Sequence, residues 1–330
     1  MDLLGGAIWL LRPGCTRLRT FLWFVTCVAG LTVRTDLLGV TSIVRALGLH
    51  GRFYGNLLDN FHSTGISMDK MSTLWARVVL RLFQDPLRVN GRLVLVGDGI
   101  KVPKSGKKIA LKSLFSDGQA MEQTASPVYS EKNVTLQYRV CDLLWRPVGR
   151  LVRFVVVIHP TRGRCLLMST DTSLGAIEII RLYGLRFKIE HGFKQAVRVV
   201  GSFSYHFWMK EMKPLHRRNG NQYLHRESSA YRDAVKRKIN AYHVFIHAGV
   251  VSQGLLQYLA ANVPKRVWAS FGSWLRTIRP GIAPSELVVA TALRHSLPEF
   301  LLNNAQHSIF AKFIVDRQDS DRLEVFRMAS

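Results

Sequence analysis

A phenol, a guanidinium, a carboxylate and an ammonium recur at Tyr183, Arg186, Glu190 and Lys194 of a 330-residue chain. At about 100° per residue these positions share one narrow stripe if the segment is helical. Taken alone, the spacing is that of an ordinary solvent-facing stripe with i,i+4 ion pairs. A second carboxylate changes the reading: Asp98 ends the apolar run Arg92-Leu-Val-Leu-Val-Gly-Asp98 and is followed by Gly99. A short continuous apolar run of this kind predicts a strand buried on both faces, with the acid at its tip. An acid on a strand end and another on a following helix, brought together, can hold two divalent ions against a phosphodiester.

Several elements have to form for that meeting to occur. Apolar residues at three and four spacing, Leu37, Val40, Ile43, Val44 and Leu47 and then Leu74, Val78, Leu82 and Phe83, predict helices, punctuated by Gly48, Gly51 and Ser63-Thr-Gly65. Alternation over 134–140 and β-rich apolar runs over 151–158 and 164–168 predict neighbouring strands of one sheet, separated by turns at Arg146-Pro147 and His159-Pro-Thr-Arg-Gly163. Residues 174–200 switch to helical period, with Ser169 to Thr172 as N-cap candidates, so one long helix carries the stripe. A basic loop over 212–226 leads into helical patterning over 228–262 and 284–303. The organisation expected is a helical region 1–90, a core 91–200, a basic helical region 201–315 and a poorly ordered tail 316–330.

The charge balance names a class of partner. Lys and Arg number 46 against 22 Asp and Glu, a formal net of +24, which points to a polyanion and most naturally to nucleic acid. Lys210, Lys213, Arg217, Arg218, Lys236 and Arg237, interleaved with Phe207, Trp208, Tyr223 and Tyr231, suit phosphate contact and stacking on unpaired bases, although a merely solvated face has the same composition. The run Phe21 to Val33 is apolar and bracketed by Arg19 and Arg34, but it is shorter than the ~20 residues a bilayer requires, so a buried helix is expected there. Cys15, Cys27, Cys141 and Cys165 show no metal-ligand spacing and read as free thiols in a reducing compartment. Ser105-Gly-Lys-Lys108 is no phosphate loop, because Lys101 stands where its first glycine would be. His243 and His247 lie four apart without the glutamate a zinc-protease pattern needs, and are assigned a structural role.

Val96-Gly-Asp98-Gly99, the run from Leu143 to Phe154, Leu167-Met-Ser-Thr-Asp171, the Tyr183-Arg186-Glu190 signature with Phe193-Lys194, and the run from Phe271 to Pro280 together resemble a bacterial insertion-sequence DDE transposase, over nearly the whole chain. The resemblance implies an α/β (mixed α+β) architecture with an RNase H-like mixed-sheet core flanked by helical regions. It also implies a reaction, DNA strand cleavage and transfer, in which two Asp and one Glu bind two Mg²⁺ or Mn²⁺ ions. Asp98 matches the first Asp and Glu190 the Glu, both as catalytic residues and metal ligands. Arg186 and Lys194 would hold phosphates, Tyr183 would lie near the scissile strand, and Arg198 adjoins Val197, where the class carries a lysine.

The segment bearing the second Asp has no counterpart, which places a deletion near Pro103-Lys-Ser-Gly-Lys-Lys108 and leaves the core sheet incomplete. Asp171 is the nearest substitute ligand, but its Ser-Thr-Asp-Thr-Ser setting points rather to a helix cap. The partners implied are terminal-repeat and target DNA and further copies of the chain on DNA, in the cytoplasm and not at a membrane. Two alternatives accompany this reading: a DNA-binding derivative without cleavage, and a small basic membrane-associated protein.

Overall fold

The computed structural model describes residues 2–83, 88–95, 97, 120–145, 149–205, 223–276 and 278–319. In chain order the helices are α1 (Asp2–Trp9), α2 (Leu18–Val33), α3 (Thr41–Ala46), α4 (Tyr54–Phe61), α5 (Met68–Leu82), α6 (Ala176–Leu185), α7 (Phe187–Gln195), α8 (Ser229–Asn262), α9 (Pro264–Ala269), α10 (Glu286–Asn304) and α11 (Ile309–Val315). The strands are β1 (Arg88–Val89), β2 (Arg92–Leu93), β3 (Glu122–Ala125), β4 (Thr135–Trp145), β5 (Arg150–His159) and β6 (Gly163–Ser169). Two compact units result, one of residues 1–88 with 193–330 and one of residues 89–192. Helices from both ends of the chain therefore build one unit, and the sheet is inserted between them.

The helical unit is organised on α2. Phe21, Phe24, Cys27, Val28 and Leu31 are all buried, and so are Leu22, Trp23 and Val25 on the other sides of the helix. A helix apolar all round is a core helix when other helices surround it. Here α3, α4, α8, α10 and α11 do so. Gly30 lets α3 approach: a Cβ at this position would lie 2.5 Å from Ile43 Cγ2. α8 is long and apolar enough by length and composition to cross a membrane, yet its Ala241, Val244, Phe245, Ala248, Val251, Leu255 and Leu256 are buried in the same core. Ser228 caps its first turn by accepting from the Tyr231 N–H (3.3 Å).

Polar locks close the ends of these helices. Arg34, just past α2, donates to the carbonyls of Val200 (2.6 Å), Gly201 (2.9 Å) and Gly39 (3.1 Å) and to the hydroxyls of Ser42 and Ser204. The Val200 carbonyl ends a π-helical turn, Ala196–Val200, and takes two of these bonds, while the Gly201 carbonyl also accepts from the Ser204 N–H and hydroxyl. Arg294 on α10 in turn donates to the Val33 and Arg34 carbonyls (2.8 and 3.3 Å). Residues 316–319 are tied down, with His50 N–H on the Arg317 carbonyl (2.9 Å) and Asp319 N–H on that of Gly48 (2.8 Å).

In the sheet unit β3, β4, β5 and β6 pair in sequence order, each antiparallel to the next. α6 lays Ile179 and Ile180 on the face made by Leu136, Val155, Val157 and Leu167. Val152, Phe154 and Val156 are buried on the other face of β5, in keeping with a central strand. The molecule is thus mixed helix and sheet, and no strand pair is parallel among the described residues.

Two elements differ from the sequence expectation. Among its described residues the run Arg92–Asp98 gives the two-residue β2, paired with β1 around Asn90 (φ 49°) and Gly91 (φ 71°), and Leu95 is 85% exposed. An Asn-Gly pair supplies two left-handed residues cheaply, so the turn captures the start of the run in a hairpin. The helix expected over 174–200 is interrupted at Arg186, where the Arg186 N–H bonds the Tyr183 carbonyl and the Ile189 N–H that of Arg186, both 3.0 Å. Gly184, two residues earlier, is pressed against Val128 and is itself a weak helix former, so the helix yields there.

Candidate functional site

The signature residues sit on two successive helices. Tyr183 is in the last turn of α6, Arg186 is the residue at the break, and Glu190 is in the first turn of α7, exposed. The tight three-residue hydrogen bonds at Arg186 overwind the chain locally, so the even 100° phase assumed from the sequence does not run through it. Tyr183 hydrogen-bonds the Cys165 thiol on β6, while burial raises that thiol's pKa. Lys194 and Arg198 lie beyond the boundary between the two units, which falls between Gly192 and Phe193. Asp98 lies outside the described residues, as do Lys210, Lys213, Arg217 and Arg218.

Asp171 is engaged locally. Its Oδ1 accepts from the Ser173 N–H (3.0 Å) and hydroxyl (2.6 Å), an Asx-turn, and its Oδ2 is 3.7 Å from Arg92 Nη1. The Ser173 hydroxyl, the Ser173 N–H, Asn90 and Arg92 together hold the Asp171 carboxyl below the ordinary aspartate range. The N-cap of α6 is Gly175, so Asp171 closes the turn before the helix and ties it to the β1–β2 hairpin. Asp142 is paired in bidentate fashion with Arg153 (2.7 and 2.8 Å), whose remaining nitrogen bonds the Leu174 carbonyl. Among the described residues no three His, Cys, Asp or Glu side chains gather as a metal site.

The cations on α8 are better exposed. Arg232, Lys236 and Arg237 project into solvent from its first turns, and Lys238 Nζ lies 3.1 Å from His62 Nε2. Just upstream, the Arg226 guanidinium stacks 4.8 Å above the Tyr223 ring. The two histidines further along α8 diverge: His243 is exposed, whereas His247 is buried against Phe24, hydrogen-bonded to the Met71 backbone and lowered in pKa by burial.

A third cluster was not legible beforehand. Glu131 accepts from the Ser126 hydroxyl (2.6 Å) and pairs with Arg162 (2.6 Å) and His159 Nε2 (3.2 Å). His159 Nδ1 accepts the backbone N–H groups of Thr161 and Arg162 (both 3.2 Å). Backbone amides only donate, so the ring proton is on Nε2 and is directed at Glu131. The Ser126 hydroxyl, His159 and Arg162 hold the Glu131 carboxyl below its ordinary range. The sequence signs of this corner are the tight β5–β6 turn at His159–Gly163 and Ser126-Pro127 in its partner loop, which lacks Asn or Gly at the left-handed positions 129 and 130. No family model, no curated protein and no solved structure matches the chain.

Proposed function

We propose that the chain is a DNA-binding protein of the DDE insertion-sequence transposase type, acting in the cytoplasm on the terminal repeats of a mobile element and on its target DNA. The observation that carries this reading is the cationic start of α8: Arg232, Lys236 and Arg237 face solvent on a helix whose later turns are buried, in a chain of net charge +24. Cations fixed on a rigid helix neutralise backbone phosphates and release counterions. The antiparallel run β4–β5–β6, followed by helices that carry Tyr183, Arg186 and Glu190, is compatible with an RNase H-like core.

Strand cleavage by this class draws on two Mg²⁺ or Mn²⁺ ions, and the described residues do not fit such a pair. Asp171 is bonded to Ser173 and Glu190 belongs to no cluster of three donors. No catalytic step is therefore assigned to them. Asp171's commitment favours a second reading, a DNA-binding derivative without cleavage. The apolar residues of α2 and α8 are used inside the helical unit, which argues against the membrane-associated alternative.

The test is duplex binding by the purified full chain across a salt series. Lys236→Glu with Arg237→Glu is expected to weaken binding about tenfold or more and to flatten the log K against log [salt] slope by about two phosphate contacts. Binding that ignores both salt and these substitutions would sink the reading. Nicking of terminal-repeat DNA with Mn²⁺, abolished by Asp98→Ala and by Glu190→Ala, selects the active enzyme over the inactive derivative.

A further inference from the structure

Tyr129 and Ser130 are the central residues of a turn closed by the Glu131 N–H on the Val128 carbonyl (3.3 Å), and both have left-handed φ, 56° and 53°. This is the φ pattern of a type I′ turn, which Asn and Gly adopt readily and a bulky aromatic residue does not. Non-glycine residues persist in such a conformation where their surroundings over-determine it, and they gather where the displaced side chain is used. Here the surroundings are the Glu131 contacts with Ser126, His159 and Arg162.

The consequence is an exposed aromatic pair. Arg162 lies 4.3 Å above the Tyr129 ring, and Tyr129 stands perpendicular to Phe187, with ring centroids 5.9 Å apart at 83°. Tyr129 is 42% exposed and Phe187 57%. Lys132 and Lys188, each close in sequence to one of the rings, are exposed as well. Glu131 is already paired with Arg162, so Lys132 and Lys188 outnumber the one further carboxylate of this stretch, Glu190. Phe187 is three residues before Glu190, hence on the same side of α7.

We propose that Tyr129 and Phe187 form a stacking platform for unpaired bases of single-stranded DNA, with Lys132 and Lys188 on the adjoining phosphates. The proposal rests on the DNA-binding reading above. Exposed rings with cations close in sequence suit a nucleobase flanked by phosphates; being perpendicular they offer separate faces, one face of Tyr129 is taken by Arg162, and stacking of this kind accepts any base. Paired bases inside a duplex cannot reach the rings, so the platform discriminates unpaired strands.

The experiment uses the full chain with a single strand of about 20 nucleotides carrying 2-aminopurine, and with the duplex of the same sequence. Phe187→Ala and Tyr129→Asn, the latter chosen because asparagine tolerates left-handed φ, are expected to weaken single-strand binding about tenfold and to abolish the stacking quench. Duplex affinity is expected to change less than about twofold, and Phe187→Trp to retain the quench. Phe187→Leu, which keeps apolar bulk without a π face, guards against a folding defect and is expected to behave as Phe187→Ala. Variants equal to wild type on single strands, or weakened equally on single strand and duplex, overturn the platform while leaving DNA binding intact. A wild-type chain that binds neither form overturns the DNA-binding reading itself.

Discussion

Arg34 is 3% exposed, and among the described residues its guanidinium bonds carbonyls and hydroxyls rather than a carboxylate. Burial lowers its pKa to about 10, with Asp36 opposing, so it remains a cation at neutral pH. Replacing it with leucine strands the Val200 carbonyl in a dry site and removes the bonds to Gly201, Gly39, Ser42 and Ser204, and the expected loss is about 3 kcal/mol, read as a lower urea midpoint. Lysine keeps the charge but lacks the planar fork, and should recover less than half of that loss. A leucine variant within about 0.5 kcal/mol of wild type would show that the fork holds nothing. Glu131 gives a prediction in pH. Its folded pKa is depressed by the Ser126 hydroxyl, His159 and Arg162, so its contribution is complete above the ordinary glutamate value of about 4.3 and is lost as pH falls through the folded value. Glu131→Gln is therefore expected to flatten the acid limb of the stability profile below that pH, with little change in its shape above.

At the scale of elements, the turn at Tyr129 and Ser130 stores strain that a sequence change can release. Left-handed backbone costs an L residue with a Cβ about 1–2 kcal/mol, which glycine does not incur. Ser130→Gly should stabilise the chain by about 1 kcal/mol in thermal or urea unfolding, and Tyr129→Asn with Ser130→Gly by more, at the expense of single-strand binding. The same turn shows where sequence reasoning stops. Val128-Tyr-Ser-Glu131 carries no turn signature, because its conformation is set by Arg162 and His159 from a hairpin some thirty positions away. Periodicity did place β4, β5 and β6 and the helices α5, α8 and α10, whose apolar residues meet covered faces. It extended a buried strand past Leu93, where the described residues Val94 and Leu95 leave the strand beside an Asn-Gly hairpin and Leu95 is exposed. It also carried one helix through Arg186, where packing of Gly184 on Val128 decided otherwise. The signature spacing was legible, but Asp171's bond to Ser173 and Asp142's to Arg153 were not, because hydrogen-bond partners are tertiary facts.

The largest-scale feature is that neither end of the chain closes a core by itself. α2 contributes Phe21, Phe24, Val28 and Leu31, and α8 contributes Phe245, Ala248, Val251 and Leu255, to one cluster that also takes Val289 from α10 and Ile314 from α11. Burying four such large side chains is worth several kcal/mol at roughly 1.5–3 kcal/mol each, and a fragment ending before α8 leaves α2 without that cover. Arg34 likewise finds two of its three carbonyl partners at Val200 and Gly201, beyond the sheet unit in sequence. A fragment of residues 1–88 is therefore expected to aggregate or to lack a cooperative unfolding transition when expressed alone. Residues 193–330 should likewise lack one. Co-expressed, the two fragments should assemble into a species with native-like helicity and a single transition, less stable than the intact chain by the entropy of association. Arg34→Leu in the first fragment should weaken that assembly, because Val200, Gly201 and Ser204 are in the second. If residues 1–88 alone unfold cooperatively with full helicity, the N-terminal helices form an independent domain, and the shared core is not what stabilises them.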